Sequence, residues 1–417
     1  MNWQSLGTVS GAALLGAAGL QAMAAAYLVR RRWRAARARY SRQQSAFDQQ
    51  LQSVLKWARA AKPIFKAWTG ARPFRVAAVV DEAADCKSFY LVPVDGRPLA
   101  RFEPGQYLTF QLPVQPRQKP VVRCYSLSDR PREDYYRVTV KRIGPPASQS
   151  ALPAGQGSTF FHRQVQVGST LAVQAPQGAF FLDPRDASPV VLVGAGIGIT
   201  PIMSMVNSIV HDRGGRKAFV FAGFRNSREQ PFCEAIRELK GQHDNLRLDV
   251  SYSRPTPADR LGRDYDRRGR IDVARLREVL PSNNFRFYVC GPAAMMESLV
   301  PALLEWGVPE EHVHYEAFGP ASVRGLRSKT ATEPCNVAFS RSEKNLAWSG
   351  EHPSLLDFAE ASGLVLDFGC RAGNCGQCVI PVREGKVAHV KLPGLSLGER
   401  ECLACIAVPQ GDVVLEA

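Results

Sequence analysis

Pro189-Val190-Val191-Leu192-Val193-Gly194-Ala195-Gly196-Ile197-Gly198-Ile199-Thr200-Pro201 carries most of what the chain says about its own folding. Residues 190–193 are apolar without interruption, as a strand covered on both faces of a parallel sheet must be. Ile202, Met203, Met205, Val206 and Ile209 then recur at helical spacing. Three glycines separate the two patterns. Strand, glycine turn and helix together bring bare backbone close to a pyrophosphate. The spacing is G-x-G-x-G-x-x-P, which differs from the G-x-G-x-x-G dinucleotide fingerprint.

Downstream, more strand–helix units follow. Strands are expected at 219–223, Leu246–Tyr252 and 287–289. The last runs into Cys290-Gly291-Pro292 and a helix from Ala293. Tyr315-Glu316-Ala317-Phe318-Gly319 closes this region, and Ser253-Arg254 follows the strand that ends at Tyr252.

Upstream the texture differs. From Pro73 onward, short β-rich runs are separated by Gly and Pro, the pattern of an antiparallel sheet or barrel. Phe102 to Leu108 reads as a turn and a strand. In Arg123-Cys124-Tyr125-Ser126, strand alternation puts Arg123 and Tyr125 on one face and Ser126 on the other. Arginine clamps phosphate, a tyrosine ring covers an aromatic cofactor, and serine hydrogen-bonds it. Val138-Thr139-Val140-Lys141-Arg142 is a further alternating strand. Gly155-Gln156-Gly157-Ser158 then opens a helical stretch at 159–163, with Ser158 expected as its N-cap.

Near the C-terminus, Cys370-x4-Cys375-x2-Cys378 is followed by Cys402 and Cys405, either of which supplies a fourth thiolate. Zinc sites favour C-x2-C pairs, so one x4 and one x2 spacing argues for iron. The spacing resembles the plant-type ferredoxin pattern for a [2Fe-2S] cluster.

Taken in order, the motifs of residues 73–417 resemble the ferredoxin–NADP reductase superfamily with a C-terminal plant-type ferredoxin domain, as in phthalate dioxygenase reductase and phenylacetate epoxidase reductase. The resemblance implies a flavin held by Arg123, Tyr125, Ser126, Val140, Lys141, Gly155, Gly157 and Ser158. It implies a nicotinamide coenzyme at Gly194, Gly196, Gly198, Thr200, Pro201, Ser253, Arg254, Cys290, Gly291 and Pro292. Ser126, Cys290 and Phe318 would face the reacting rings. Cys370, Cys375, Cys378 and Cys405 would bind the cluster, Cys405 because it fits the family's Leu-x-Cys phrase before a proline. Cys124 fills a variable position and receives no role. The helix start favours FAD, although reductases of this module order also use FMN, and the choice between NADH and NADPH stays open.

The chain has 417 residues and a net charge of +15. Residues 1–70 hold eleven basic residues and one acid, Asp48, so +10 of that charge sits there. Leu6 to Val29 is a 24-residue run without a charge, and seven arginines follow between Arg30 and Arg42. That length suits a membrane span, and the arginines set its cytoplasmic side. A nucleic-acid role would rest on net charge alone and is set aside. The expected architecture is multidomain. A transmembrane anchor (1–30) and a basic juxtamembrane linker (31–72) lead into an antiparallel β-barrel for flavin (73–186). An α/β parallel-sheet domain for NAD(P) (187–320), a linker (321–332) and an α+β, β-grasp ferredoxin domain (333–417) follow. Gly7 and Gly11 allow the anchors to pair as a homodimer. The expected protein is a single-pass protein of the inner (cytoplasmic) membrane, with its bulk cytoplasmic. It would be an NAD(P)H:acceptor oxidoreductase serving a partner oxygenase, hydroxylase or desaturase. A membrane quinone reductase and a redox-sensing interaction protein are the alternatives.

Overall fold

The computed structural model describes residues 68–115, 117–145, 153–212, 215–318, 334–391 and 393–417. The expected membrane anchor lies outside them. Among the described residues, no helix is long and apolar enough to cross a membrane.

The first sheet is built from β1 (Ala71–Ala83), β2 (Cys86–Pro93), β3 (Tyr107–Leu112), β4 (Val121–Ser126), β5 (Tyr136–Lys141) and β6 (Thr170–Gln174), with helix α1 (Gln156–Gln164) before β6. Its order is β4-β3-β6-β1-β2-β5, and its pairs are antiparallel. Beyond β4, Leu127 bridges to Val138 of β5, so the two outer strands meet and the sheet closes on itself. Phe74, Phe89, Phe110, Phe161 and Val138 fill the interior. Alternation along the first half of β1 explains this, because every second residue is buried there.

The second sheet is parallel. It comprises β7 (Val190–Ala195), helix α2 (Ile199–His211), β8 (Ala218–Phe224), α3 (Cys233–Leu239), β9 (Leu246–Tyr252), β10 (Arg267–Arg268), α4 (Val273–Val279), β11 (Arg286–Gly291), α5 (Ala293–Glu305) and β12 (Val313–Ala317). The order β10-β9-β8-β7-β11-β12 makes β7 the strand where the winding reverses. Ligands of such sheets sit at the carboxyl ends beside that reversal. Apolar cores cover both faces, one centred on α2 and the other on α4 and α5. Ser204 of α2 donates to the Asp129 carbonyl at 2.7 Å, and Asn207 reaches its carboxylate at 2.9 Å, which fixes this layer against the barrel.

The third unit contains β13 (Cys335–Phe339), β14 (Lys344–Trp348), α6 (Leu355–Ala361), β15 (Val379–Glu384), β16 (Val387–His389), β17 (Glu401–Leu403), β18 (Ala407–Pro409) and β19 (Val413–Leu415). A mixed sheet of order β14-β13-β19-β15-β17 packs on α6. Ser354 caps α6 by accepting the Asp357 N–H. The loop with the first three cysteines runs between α6 and β15, and Cys405 lies between β17 and β18.

Candidate functional site

On β4, Arg123 and Tyr125 share a face, as alternation requires. Gly157, the second residue of α1, lies against both. A side-chain carbon there would stand 2.8 Å from Arg123 Cγ and 2.9 Å from Tyr125 Oη, so only glycine lets the helix start approach the motif. The Tyr125 ring packs edge-on against Phe161 at 4.9 Å. The expectation for Ser158 needs correction. Helix α1 begins at Gln156 with Gly155 as its cap, and no side chain claims the first N–H groups. Ser158 Oγ instead donates to the Gly155 carbonyl at 3.1 Å and accepts the Ile143 N–H, so it closes the turn. Ser126 is buried and paired with Tyr107. The Val140 carbonyl accepts from His162 at 2.8 Å. Lys141 forms an ion pair with Glu229 at 3.4 Å, beside a small cleft between the barrel and the Gly196-Ile197 turn.

At the carboxyl edge of the parallel sheet, close backbone approach is again the rule. Gly196 has φ +56°, and a side-chain carbon on Gly198 would fall 2.3 Å from the Cys290 carbonyl oxygen. Gly194 is the register partner of Cys290. Gly291 and Pro292 lead directly into α5. Thr200 and Pro201 are buried in the first turn of α2, and the Thr200 hydroxyl donates to the Ile197 carbonyl at 2.9 Å. Cys290 is fully buried. Burial pushes its thiol well above the ordinary value, the Glu316 carboxylate adds to the rise, and Lys391 opposes it. Phe318 is half-buried against the α2-side core. The Ser253 and Arg254 N–H groups donate to the Phe224 and Arg225 carbonyls, so the two loops run side by side, with Arg254 exposed.

The cysteine loop is wrapped in its own backbone. The N–H groups of Ala372, Asn374 and Cys375 reach Cys370 Sγ at 3.4, 3.3 and 3.3 Å. Cys370 N–H reaches Cys375 Sγ at 3.2 Å, and Gly373 N–H reaches Cys405 Sγ at 3.3 Å. Positive φ at Arg371, Gly373 and Gly376 makes this curl possible. The thiols associate as two pairs, Cys370 with Cys375 and Cys378 with Cys405. Among the described residues, no three His, Cys, Asp or Glu side chains converge on one ion. Cys402 faces the third core, and burial lifts its thiol to about 12. All ten cysteines are free of disulfides.

The barrel strands and the cysteine loop touch. Arg123 Nη1 donates to the carbonyl of Gly369, next to Cys370, at 2.9 Å. Tyr107 Oη donates to the carbonyls of Asn374 at 2.7 Å and Gly394 at 3.1 Å. Thr109 Oγ1 lies 3.4 Å from Cys124 Sγ, and the neighbouring Cys370 thiol together with burial pushes the Cys124 thiol well above its ordinary value. The neighbouring Cys124 and then Cys375 thiols hold the Cys370 thiol well below its usual range. Tyr107, Cys124, Glu316, Asn374 and Lys391 belong to this junction, and nothing in the sequence singled them out. Their partners are remote in the chain, and Cys124 carried only the signal of sitting inside the Arg-x-Tyr-Ser motif.

Fold and site together define a flavin- and nicotinamide-binding oxidoreductase with an iron–sulfur module. Residues 77–182 match the oxidoreductase FAD-binding domain, 192–300 the oxidoreductase NAD-binding domain, and 340–410 the 2Fe-2S iron-sulfur cluster binding domain. The chain therefore carries the FAD-binding, NAD-binding and 2Fe-2S domains in the order of the ferredoxin–NADP reductase family, with FAD, a [2Fe-2S] cluster and NADH or NADPH as its cofactors. It is 38% identical over 255 residues to a flavohemoprotein of Halalkalibacterium halodurans, covering 61% of each chain. It thus spans about 61% of the length of that curated relative. The FAD/NAD-binding domain of nitric oxide dioxygenase from Vibrio cholerae superposes with a TM-score of 0.52 at 31% identity, covering 60% of this chain and all of that one. Phthalate dioxygenase reductase superposes with a TM-score of 0.52 at 23% identity over 84% of this chain and 98% of the other, which shows the shared fold. The residues present fit these groups. The bare Gly155-capped helix start beside Gly157, Arg123 and Tyr125 suits a flavin phosphate, and the paired thiols ringed by N–H donors suit a two-iron cluster.

Proposed function

We propose that the protein is a membrane-tethered reductase that draws on NADH or NADPH and supplies electrons singly to a partner oxygenase, hydroxylase or desaturase. When bound, FAD and the cluster supply the exchange between a two-electron donor and a one-electron acceptor. One observation carries the reading: the barrel strands of the flavin motif and the cluster loop touch directly, Arg123 on Gly369 and Tyr107 on Asn374.

The chain's own residues prepare the site. Gly194, Gly196 and Gly198 leave the backbone bare for the coenzyme phosphates, beside Gly291 and Pro292. Cys290 places a neutral, water-free thiol where the nicotinamide would lie, and Ser126 and Phe318 are assigned to the flavin side. Arg123 retains further guanidinium donors for phosphate beyond the two that Nη1 spends on the Val122 and Gly369 carbonyls. Arg254 is an exposed cation available to a coenzyme phosphate, with exposed Arg225 and Arg228 on the adjoining loop. Phthalate dioxygenase reductase is a modular structure for electron transfer from pyridine nucleotides to [2Fe-2S], and the order of modules in this chain supports the same direction. The uncharged run 6–29 and the arginines after it support an inner-membrane location with the bulk cytoplasmic. Tethering raises the effective concentration of the reductase near a membrane-associated acceptor.

The test uses the full-length protein. Its acid-released flavin, iron and sulfide are determined, and NADH- and NADPH-dependent reduction of cytochrome c and ferricyanide is measured. FAD, iron matched by sulfide, and turnover with at least one nucleotide are expected. Protein loaded with both cofactors but unable to turn over would overturn the reading. Removing residues 1–42 should move the activity from the membrane to the soluble fraction. Direct reduction of a ubiquinone analogue without added protein would favour a quinone reductase instead.

A further inference from the structure

Three side chains from two units meet in the interior at the junction of the nicotinamide and cluster sites. Glu316 of β12 and Lys391 are 6% and 8% exposed, and their charged atoms lie 3.4 Å apart. Asn374 joins them, donating from Nδ2 to Glu316 Oε1 at 3.0 Å and accepting from Lys391 Nζ at 3.1 Å. The same asparagine donates its N–H to Cys370 Sγ and offers its carbonyl to Tyr107. Glu316 is also the register partner of Cys290 on β11. One residue of the cluster loop is therefore bonded to a cluster ligand, to the barrel and to a carboxylate beside the nicotinamide-side thiol.

We infer that Glu316 and Lys391 form a charge-compensated pair that keeps either buried charge from shifting the reduction potential of the cluster, with Asn374 as the joint, making both positioning residues for electron transfer. Reduction adds a negative charge to the cluster, so a buried cation nearby favours it and a buried anion opposes it. As a pair the two largely cancel. Separated, they act with opposite sign. A purely structural contact has no such signature, since loss of either partner would perturb the loop in the same way.

The inference rests on the reading that the four thiolates hold the cluster. The test is potentiometric titration of the full-length holoprotein, followed by the electron paramagnetic resonance signal of the reduced cluster. Lys391→Met should shift the cluster equilibrium about tenfold toward the oxidised form, or ~59 mV for a one-electron couple. Glu316→Gln should shift it a comparable amount the other way, and the double variant should return near the starting value. If Lys391→Met fails to retain the cluster, Glu316→Gln and the double variant decide between them. A rise in the first and a return in the second support the pair. Unchanged potentials, or both single variants moving in one direction, overturn the inference while leaving the cluster reading intact. Absence of a two-iron signal in the unaltered protein overturns that reading, and this inference with it.

Discussion

The hydroxyl of Tyr107 donates to the carbonyl of Asn374 at 2.7 Å, joining strand β3 of the barrel to the heart of the cysteine loop across 267 residues of chain. The same hydroxyl reaches Gly394, whose own N–H holds Gly373. Tyr107→Phe leaves two buried carbonyls short of a donor and should cost about 1–3 kcal/mol. Urea unfolding of the holoprotein checks this, and a change below about 0.5 kcal/mol would show that the bond is dispensable.

Cys124→Ala removes the thiol that neighbours Cys370 from the flavin strand. A ligand sulfur with one donor fewer carries more charge, so the cluster should become harder to reduce. Cys124→Ser keeps a donor and should recover part of the loss. A redox titration by electron paramagnetic resonance reads both variants, and identical potentials in Cys124→Ala and the parent would refute the contact's electronic role.

Gly157→Val places a branched side chain where its first carbon already meets Arg123 Cγ at 2.8 Å and Tyr125 Oη at 2.9 Å. Overpacking of this kind costs about 1–3 kcal/mol. The strain falls on the proposed flavin cradle, so flavin should be retained about tenfold less tightly while the far-ultraviolet circular dichroism stays unchanged. Full flavin content in this variant would place the flavin elsewhere.

Burial pushes the Cys86 thiol up to about 12, with the Glu82 carboxylate adding to the rise. The folded state therefore holds this proton in a range where the unfolded chain has released it. The stability it contributes is fully present below pH ~9 and falls as pH rises toward 12, by at most about 1.4 kcal/mol per pH unit. Cys86→Ala should flatten the decline between those limits, whatever its offset from lost packing. Parallel stability–pH curves for the two proteins would show that Cys86 does not contribute.

What could be read from the sequence was whatever a few adjacent residues determine. The strand before Gly194, the helix after Gly198 and the strand Leu246–Tyr252 follow from local apolar pattern and bare glycine. The cysteine spacing worked for the same reason, because three ligands and the N–H groups that serve them lie within nine residues, 370–378. Ser158 shows the limit. A serine after two glycines reads as a helix cap, yet the helix and its cap lie three residues earlier because Gly157 packs into Arg123 and Tyr125, a contact invisible in one dimension. The Glu316–Asn374–Lys391 junction was unreadable because its members are 58 and 17 residues apart and carry no motif. Glu316 was in plain view, one turn of phrase from Phe318, but its meaning depends on what the third sheet brings to it.

The most direct measurement is anaerobic addition of NADH or NADPH to the holoprotein, with low-temperature electron paramagnetic resonance of samples frozen through the reaction. The account predicts a reduced two-iron signal that grows after flavin bleaching, and its loss when Cys370, Cys375, Cys378 or Cys405 is replaced by serine. Bleached flavin beside an intact cluster that stays oxidised, or a signal that survives every one of those four replacements, would contradict it.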